Sequence, residues 1–458
     1  MLKNPKSSRS AVFFLPTSLV CLGVALEVLE INFLALFWLT GAFVLLYRHV
    51  RDWSTLALWA VHPFRFLLPL FVLGQIVPLA WFLVGAEQGR IYMYTSESLT
   101  RGCFDYLLVY YPYFAGISLA IQRELPNEGN TRRSLRSALA TTFAITVTLT
   151  ANILFLVTYL VYNTPLTISY VSSIIGRLSP LGLGVIVYIM LQRNSWALRV
   201  LYGGTLILNI ILTIIIGLYK HMRFAFVEEV LIITLIYLCY GSRAKSRYVI
   251  LGVGMVAAVL VLGFITSRKI ADIAISTDAG SGDVAISEVR DSVLTRSCQY
   301  TVEAMVEEDI QVARFFENTR SELLSEIAAG LPFGGLIMGM AGRTGGGLNM
   351  QFHHWLTNTF GESSIFFSVF TQVRYGYGTA HAMITGLLVG ILHGLVLRLT
   401  IKSLKEISFV AVGVGMYSVA LHGLTATGVL KVAFYLVLYI YILNFLFPVI
   451  YPKKDMVS

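Results

Sequence analysis

The residues of this chain whose types and spacing could do chemistry are arginines, histidines and glutamates, and they are unevenly spread. A polar segment from about Ser267 to Tyr375 holds Arg290, Arg296, Arg314, Arg320, Arg343 and Arg374, with the pair His353-His354, inside an otherwise apolar sequence. Arg177 and Arg223 stand at the ends of apolar runs, and Glu228 and Glu229 follow Arg223. A guanidinium is planar, always charged and donates paired hydrogen bonds, so several arginines converging on one cavity would grip a diphosphate. A histidine titrates near neutral pH and a desolvated glutamate can do so, and either could take a proton from a hydroxyl. His353, His354, Glu362 and Glu228 are therefore the candidate proton carriers. Arg177, Arg223, Arg290, Arg296, Arg314, Arg320 and Arg343 are the candidate anion-binding set. Successive helical residues point about 100° apart, so at most one of the two histidines faces a given substrate.

Each of these residues also has a plainer explanation. A single arginine at the end of a span anchors to lipid phosphate, and Arg223 or Glu228 can serve a structural ion pair. His381 and His393, inside an apolar run, read as satisfied core residues. Cys21, Cys103, Cys239 and Cys298 form no CxxC or Cys/His cluster, so neither a metal site nor a disulfide framework is expected. The run from Gly334-Gly335 to Gly345-Gly346-Gly347 lacks the GK[ST] ending of a phosphate loop and reads as a hinge. No cofactor is implied.

The elements that must position these groups are membrane helices. Of 458 residues, 56% are hydrophobic and 13% charged, and the mean hydropathy is +0.74, which excludes a water-soluble globular protein. The net charge of +9 has no base-stacking aromatics interleaved with it, so nucleic acid is not an expected partner. A span needs about twenty mainly apolar residues. Twelve stretches qualify, at about 11–28, 31–47, 66–85, 104–121, 138–162, 178–192, 198–218, 224–240, 248–266, 377–398, 407–425 and 431–450, the first two of which could instead form a re-entrant hairpin. The fold class expected is an all-α polytopic integral membrane protein with one large extracytoplasmic helical loop. It divides into a nine-helix portion (1–266), the loop with a re-entrant segment (267–376) and a three-helix portion (377–458). With the N-terminus inside, the inward segments hold 20 of the 34 Lys and Arg, and the short loops are strongly biased. Both termini are then cytoplasmic and the long loop is outside, where no nucleotide substrate is available.

Within the loop, helical spacing of Ile286, Val289, Val293, Tyr300 and Ala304, and of Phe316, Leu323, Leu324 and Ile327, predicts amphipathic helices over 286–307 and 310–329. The stretch 365–372 is too short to span and is expected to re-enter or lie in the interface. Gly386, Gly390 and Gly394 make a small-residue face for close helix packing. No pair of matching broken helices relates the two halves, which disfavours an inverted-repeat transporter.

Four local patterns resemble a known family. They are Ile168-Ser169-Tyr170 through Arg177 before a span; Arg223 opening a span; Leu294-Thr295-Arg296 early in the loop; and Phe352–Thr359 leading to Ser364-Ile365-Phe366-Phe367 and Tyr375-Gly376-Tyr377-Gly378. Over roughly 165–400 the chain resembles the O-antigen and related oligosaccharide repeat-unit polymerases (Wzy-type), with outer loops at 163–177 and 267–375. The resemblance implies a metal-independent glycosyltransferase of GT-C-like architecture in the bacterial inner membrane. Its substrates would be undecaprenyl-diphosphate-linked glycans within membrane lipid, and a chain-length regulator is a possible partner. The loop would supply half of the site, and Arg177, Arg223 and Glu228 the rest. An O-antigen ligase, a flippase or transporter of lipid-linked sugars, and a non-catalytic scaffold are the competing readings.

Overall fold

A computed structural model of the chain describes residues 9–51, 63–84, 95–121, 132–133, 137–160, 166–192, 196–220, 223–240, 300–331, 348–357, 367–404, 407–408, 410–412, 414–416 and 424–450. Among them the chain is helical except for one two-stranded antiparallel pairing, Arg132–Arg133 (β1) against Val449–Ile450 (β2). Among the described residues four helices are long and apolar enough to cross a membrane, with mean hydropathies between 1.2 and 2.0. Together with the composition, this is an all-α chain built for a membrane. The expected span at 248–266 lies outside the described residues, and that at 407–425 is described only in part.

The chain forms two compact units. The first comprises Met1–Leu125, Asp291–Leu399 and Met416–Tyr435. Its helices α1 (Arg9–Val28) and α2 (Asn32–Arg51) are joined by a turn in which Glu30 takes φ 61°. The Ile31 N–H donates to the Leu26 carbonyl at 2.9 Å, which closes α1 in a left-handed cap. Next come α3 (Pro63–Val84) and α4 (Ser96–Ile121). The α4 helix is the unit's centre: Tyr106, Tyr110 and Tyr113 are fully buried, and the Tyr110 ring lies 4.7 Å from Phe71 of α3.

The second unit comprises Pro126–Arg290, Thr400–Gly415 and Leu436–Ser458. It contains α5 (Ser137–Leu160), α6 (Leu166–Gln192), α7 (Trp196–Lys220) and α8 (Arg223–Tyr240). Helices α5 and α6 approach closely at Gly182, where a Cβ would stand 2.6 Å from Thr148 Oγ1. Helix α6 starts at Leu166, twelve residues before the span read from hydropathy, so Arg177 sits inside a helix rather than at the end of a loop. The hydropathy pattern misses this start because Thr167, Ser169, Ser172 and Ser173 lower the local average without breaking the helix.

The polar segment returns to the first unit as short helices. These are α9 (Thr301–Glu308), α10 (Ile310–Thr319), a 3₁₀ turn (Arg320–Glu322), α11 (Leu323–Ala329) and α12 (Leu348–Thr357). The helix expected over 310–329 is thus interrupted at its middle. Residues 286–299 of the other expected helix, and the glycine run, lie outside the described residues. Asp309 separates α9 from α10 in extended conformation and accepts the Gln311 N–H at 2.8 Å, an N-cap. Val302, Val312, Phe315, Phe316, Leu348, Phe352 and Phe367 form one core, with Phe316 5.5 Å from Phe352 and 5.0 Å from Phe367. The segment is therefore a folded cap with its own hydrophobic centre.

After the cap, α13 (Val369–Tyr377) is capped by Ser368, whose Oγ accepts the Thr371 N–H at 3.0 Å. Gly378, at φ 101°, ends α13, and α14 (Thr379–Leu404) begins immediately. Of the stretch 365–372, expected to re-enter or lie in the interface, the part from Val369 onward begins the buried helix α13. The glycine face packs as expected: on α14, a Cβ at Gly390 would stand 2.1 Å from the Tyr113 carbonyl oxygen, and one at Gly116 2.5 Å from that of Leu387. His393 is a satisfied core residue. Its Nε2 is 2.7 Å from the Val429 carbonyl, which only an N–H can approach, so its Nδ1 accepts from the Tyr113 hydroxyl at 2.9 Å. Val429 belongs to the last long helix, α15 (Ala426–Leu446).

Candidate functional site

Beneath the cap, charged residues from distant parts of the first unit meet. Asp105, on α4 and 4% exposed, pairs with Arg374 of α13, Oδ2 to Nη2 at 2.6 Å. Glu303 of α9 is 1% exposed and accepts a short hydrogen bond from the Thr371 hydroxyl at Oε1. Arg101, a turn before Asp105, reaches Glu97 at 3.3 Å, Glu307 at 3.6 Å and Glu30 at 3.7 Å. Glu308 fastens the cap to the start of α4 by accepting the Thr95 N–H at 3.0 Å. Gly102 lets the two helices touch, because a Cβ there would lie 2.6 Å from the Ala304 nitrogen.

Burial sets the electrostatics. It pushes the Glu303 carboxyl up to about 8, against the opposing pull of the Thr371 hydrogen bond and Arg374. Burial also raises Glu307, with Asp105 adding to it. For Arg374, burial opposes the charge, but Asp105 more than restores it, and the guanidinium is held above its ordinary value. Tyr375 is driven well above the phenol range by burial. Polar atoms without hydrogen-bond partners collect here: Glu303 Oε2, Arg374 Nη1, the Tyr375 hydroxyl and both amide atoms of Gln372. Buried polar atoms are rarely left unpaired without a water or ligand to meet them. Gln372 lines a cavity of about 70 Å³ with Glu326, Leu348, Phe367, Thr425, Ala426 and Thr427. Glu326 accepts the Leu348 N–H at 3.2 Å and is raised by its burial.

The residues singled out from sequence are distributed as follows. Arg314, Arg320 and His354 all belong to the cap. Arg314 is exposed, its Nη1 donating to Gln311 at 3.3 Å. Arg320 is exposed at the 3₁₀ turn, and its carbonyl accepts the Tyr377 hydroxyl at 3.0 Å. His354 is half-buried on α12, the helix whose Gln351 Nε2 reaches Glu322 at 3.4 Å. His353 lies on the same helix, with its side chain outside the described residues. In the second unit Glu228 is half-buried on α8, while Arg177 and Arg223 have described backbones only. Arg290, Arg296, Arg343 and Glu362 lie outside the described residues.

Sequence reasoning did not single out Asp105, Glu303 or Gln372, and it counted Arg374 without a partner. One signal was available, since Asp105 falls inside a predicted span, where an ionisable residue marks a buried pair or a site. The fold and site together define a helical membrane protein with a folded cap over a charged, partly unsatisfied cluster. No protein-family model, curated protein or solved structure matches the chain.

Proposed function

We propose that the chain is a membrane glycan polymerase of GT-C-like architecture with about twelve spans. It transfers a growing undecaprenyl-diphosphate-linked polysaccharide onto a lipid-linked repeat unit at the outer face of the inner membrane, without a metal. The supporting observation is a coincidence of ends. The Glu30 turn, the start of α4, the α13–α14 junction and the start of α15 all gather at the cap. These are the ends that charge counting assigns to the outside. A site on that side, next to membrane helices, is where two lipid-tethered substrates can meet.

The chemistry suits the groups present. The leaving diphosphate gains negative charge, so arginines fixed in advance stabilise the transition state more than the ground state. Arg374 keeps Nη1 unpaired while Asp105 holds its other arm, and Arg314 and Arg320 present exposed charge on the cap. Glu303, pushed up to about 8, exchanges a proton in the range where general catalysis of hydroxyl attack is effective.

The test is genetic deletion followed by gel analysis of surface glycan, with complementation by variants. Deletion should leave single repeat units, and Arg320→Ala or Arg223→Ala, each still inserted, should lower polymer by about a hundredfold or more. Unattached full-length polymer in the deletion strain identifies a ligase instead, and repeat units held on the inner leaflet identify a flippase. Unchanged glycan rejects all three.

A further inference from the structure

The second unit buries a different polar cluster among apolar helices. Glu229, on α8 and 8% exposed, accepts two hydrogen bonds at Oε1, from Asn209 Nδ2 at 2.7 Å and from Thr213 Oγ1 at 2.7 Å. Asn209 and Thr213, both on α7, are fully buried. Asn152 of α5 extends the network by donating to Asn209 Oδ1 at 2.7 Å. The other carboxyl oxygen, Oε2, is buried and has no hydrogen-bond partner.

Among the described residues both donors to this carboxyl are neutral, and an isolated buried carboxylate is too costly to persist uncompensated. The charged residues of the surrounding helices are few. Helix α5 has none, and α7 has Arg199 and Lys220, near its two ends. On α8 are Arg223 and Glu228, the latter half-buried with interactions of its own. Helix α6, which meets α8 where Gly184 faces Ile232 and Ile236, carries Arg177 alone. A single carboxylate with amide and hydroxyl oxygens beside it balances one positive charge, not two. Oxygen donors of this kind suit a hard cation.

We propose that Glu229, with Thr213 and Asn209, forms an intramembrane site for one small monovalent cation, a proton or a sodium ion, taken at the unpaired Oε2. The site is independent of the glycan reading and would remain if that reading failed.

The probe is dicyclohexylcarbodiimide, which modifies protonated carboxyls in apolar surroundings, applied to the full chain purified in detergent and read by mass spectrometry. Glu229 should be labelled at acid pH, with labelling falling about tenfold per pH unit above its midpoint. If sodium also occupies the site, NaCl but not choline chloride should lower labelling about tenfold once sodium is about ten times its Kd. Glu229→Gln should abolish the label and remove the share of the pH or sodium dependence of the melting temperature that Glu229 contributes. Two results overturn the proposal. One is labelling that appears only in Arg177→Gln, which makes Arg177 the partner. The other is no labelling in either protein, with melting that neither pH nor sodium alters through Glu229.

Discussion

Glu303 and Glu229 are both buried, and each has one oxygen engaged in hydrogen bonds and one unpaired, but their surroundings differ in kind. Around Glu303 the structure assembles full charges, with Asp105 and Arg101 of α4, Arg374 of α13 and Glu307 of α9 brought together from three helices. Around Glu229, among the described residues, the hydrogen-bond donors are an amide and a hydroxyl, with a second amide behind them. The first cluster depends on a buried arginine to hold carboxyls together where water is scarce. The second satisfies one oxygen by neutral donors and leaves the remaining charge to a bound cation. A charged network ties distant segments into one fold, whereas a neutral one leaves a carboxyl able to exchange what it holds.

The difference can be broken most forcefully at Arg374. Arg374→Ala strands Asp105 in the dry cluster and should cost about 3–5 kcal/mol. The effect should appear as a large drop in melting temperature of the detergent-purified chain, partly recovered in the double variant with Asp105→Asn. In the second unit, Asn209→Ala removes one neutral donor and leaves Asn152 only its longer bond to Thr213 Oγ1 at 3.4 Å. The cost there should be smaller, about 1–3 kcal/mol by the same measurement. An equal loss at both positions would erase the distinction.

The subtlest effect is a slope. Glu303 sits at about 8 in the folded chain against an ordinary 4.5, so the folded state keeps a proton that the unfolded state releases. Its contribution to stability is complete below about 4.5 and is lost as pH rises through about 8, by at most about 1.4 kcal/mol per pH unit. Glu303→Gln should flatten that part of the melting-versus-pH curve. An unchanged curve would mean that Glu303 does not titrate as its burial requires.

The helices were largely legible because apolar runs of span length leave few alternatives, and the glycine spacing on α14 announced its close contact with α4. The cap's helical character was also visible, though not the 3₁₀ break at Arg320–Glu322, which no periodicity reports. The charged cluster was hidden for another reason. Asp105, Glu303 and Arg374 are far apart in the chain, and hydropathy ranks each residue by its neighbours in sequence rather than in space. Arg374 was visible as one arginine among several in a polar segment, while the partner that distinguishes it was not.

Helix α4 has a consequence for how the protein is made. Its most apolar stretch is 94% buried with a mean hydropathy of only 1.2, and it carries Asp105 and a row of tyrosines that face protein. A carboxylate at mid-membrane costs about 2.5–3.5 kcal/mol on insertion scales, and less near the interface. Arg374 on α13, which pairs with Asp105, and the glycines of α14, which pack on α4 around Tyr113, leave the ribosome only after most of the chain has been synthesised. During biogenesis α4 is therefore a provisional span, held first by α2 and α3, and it becomes the buried centre of its unit only when the late helices arrive.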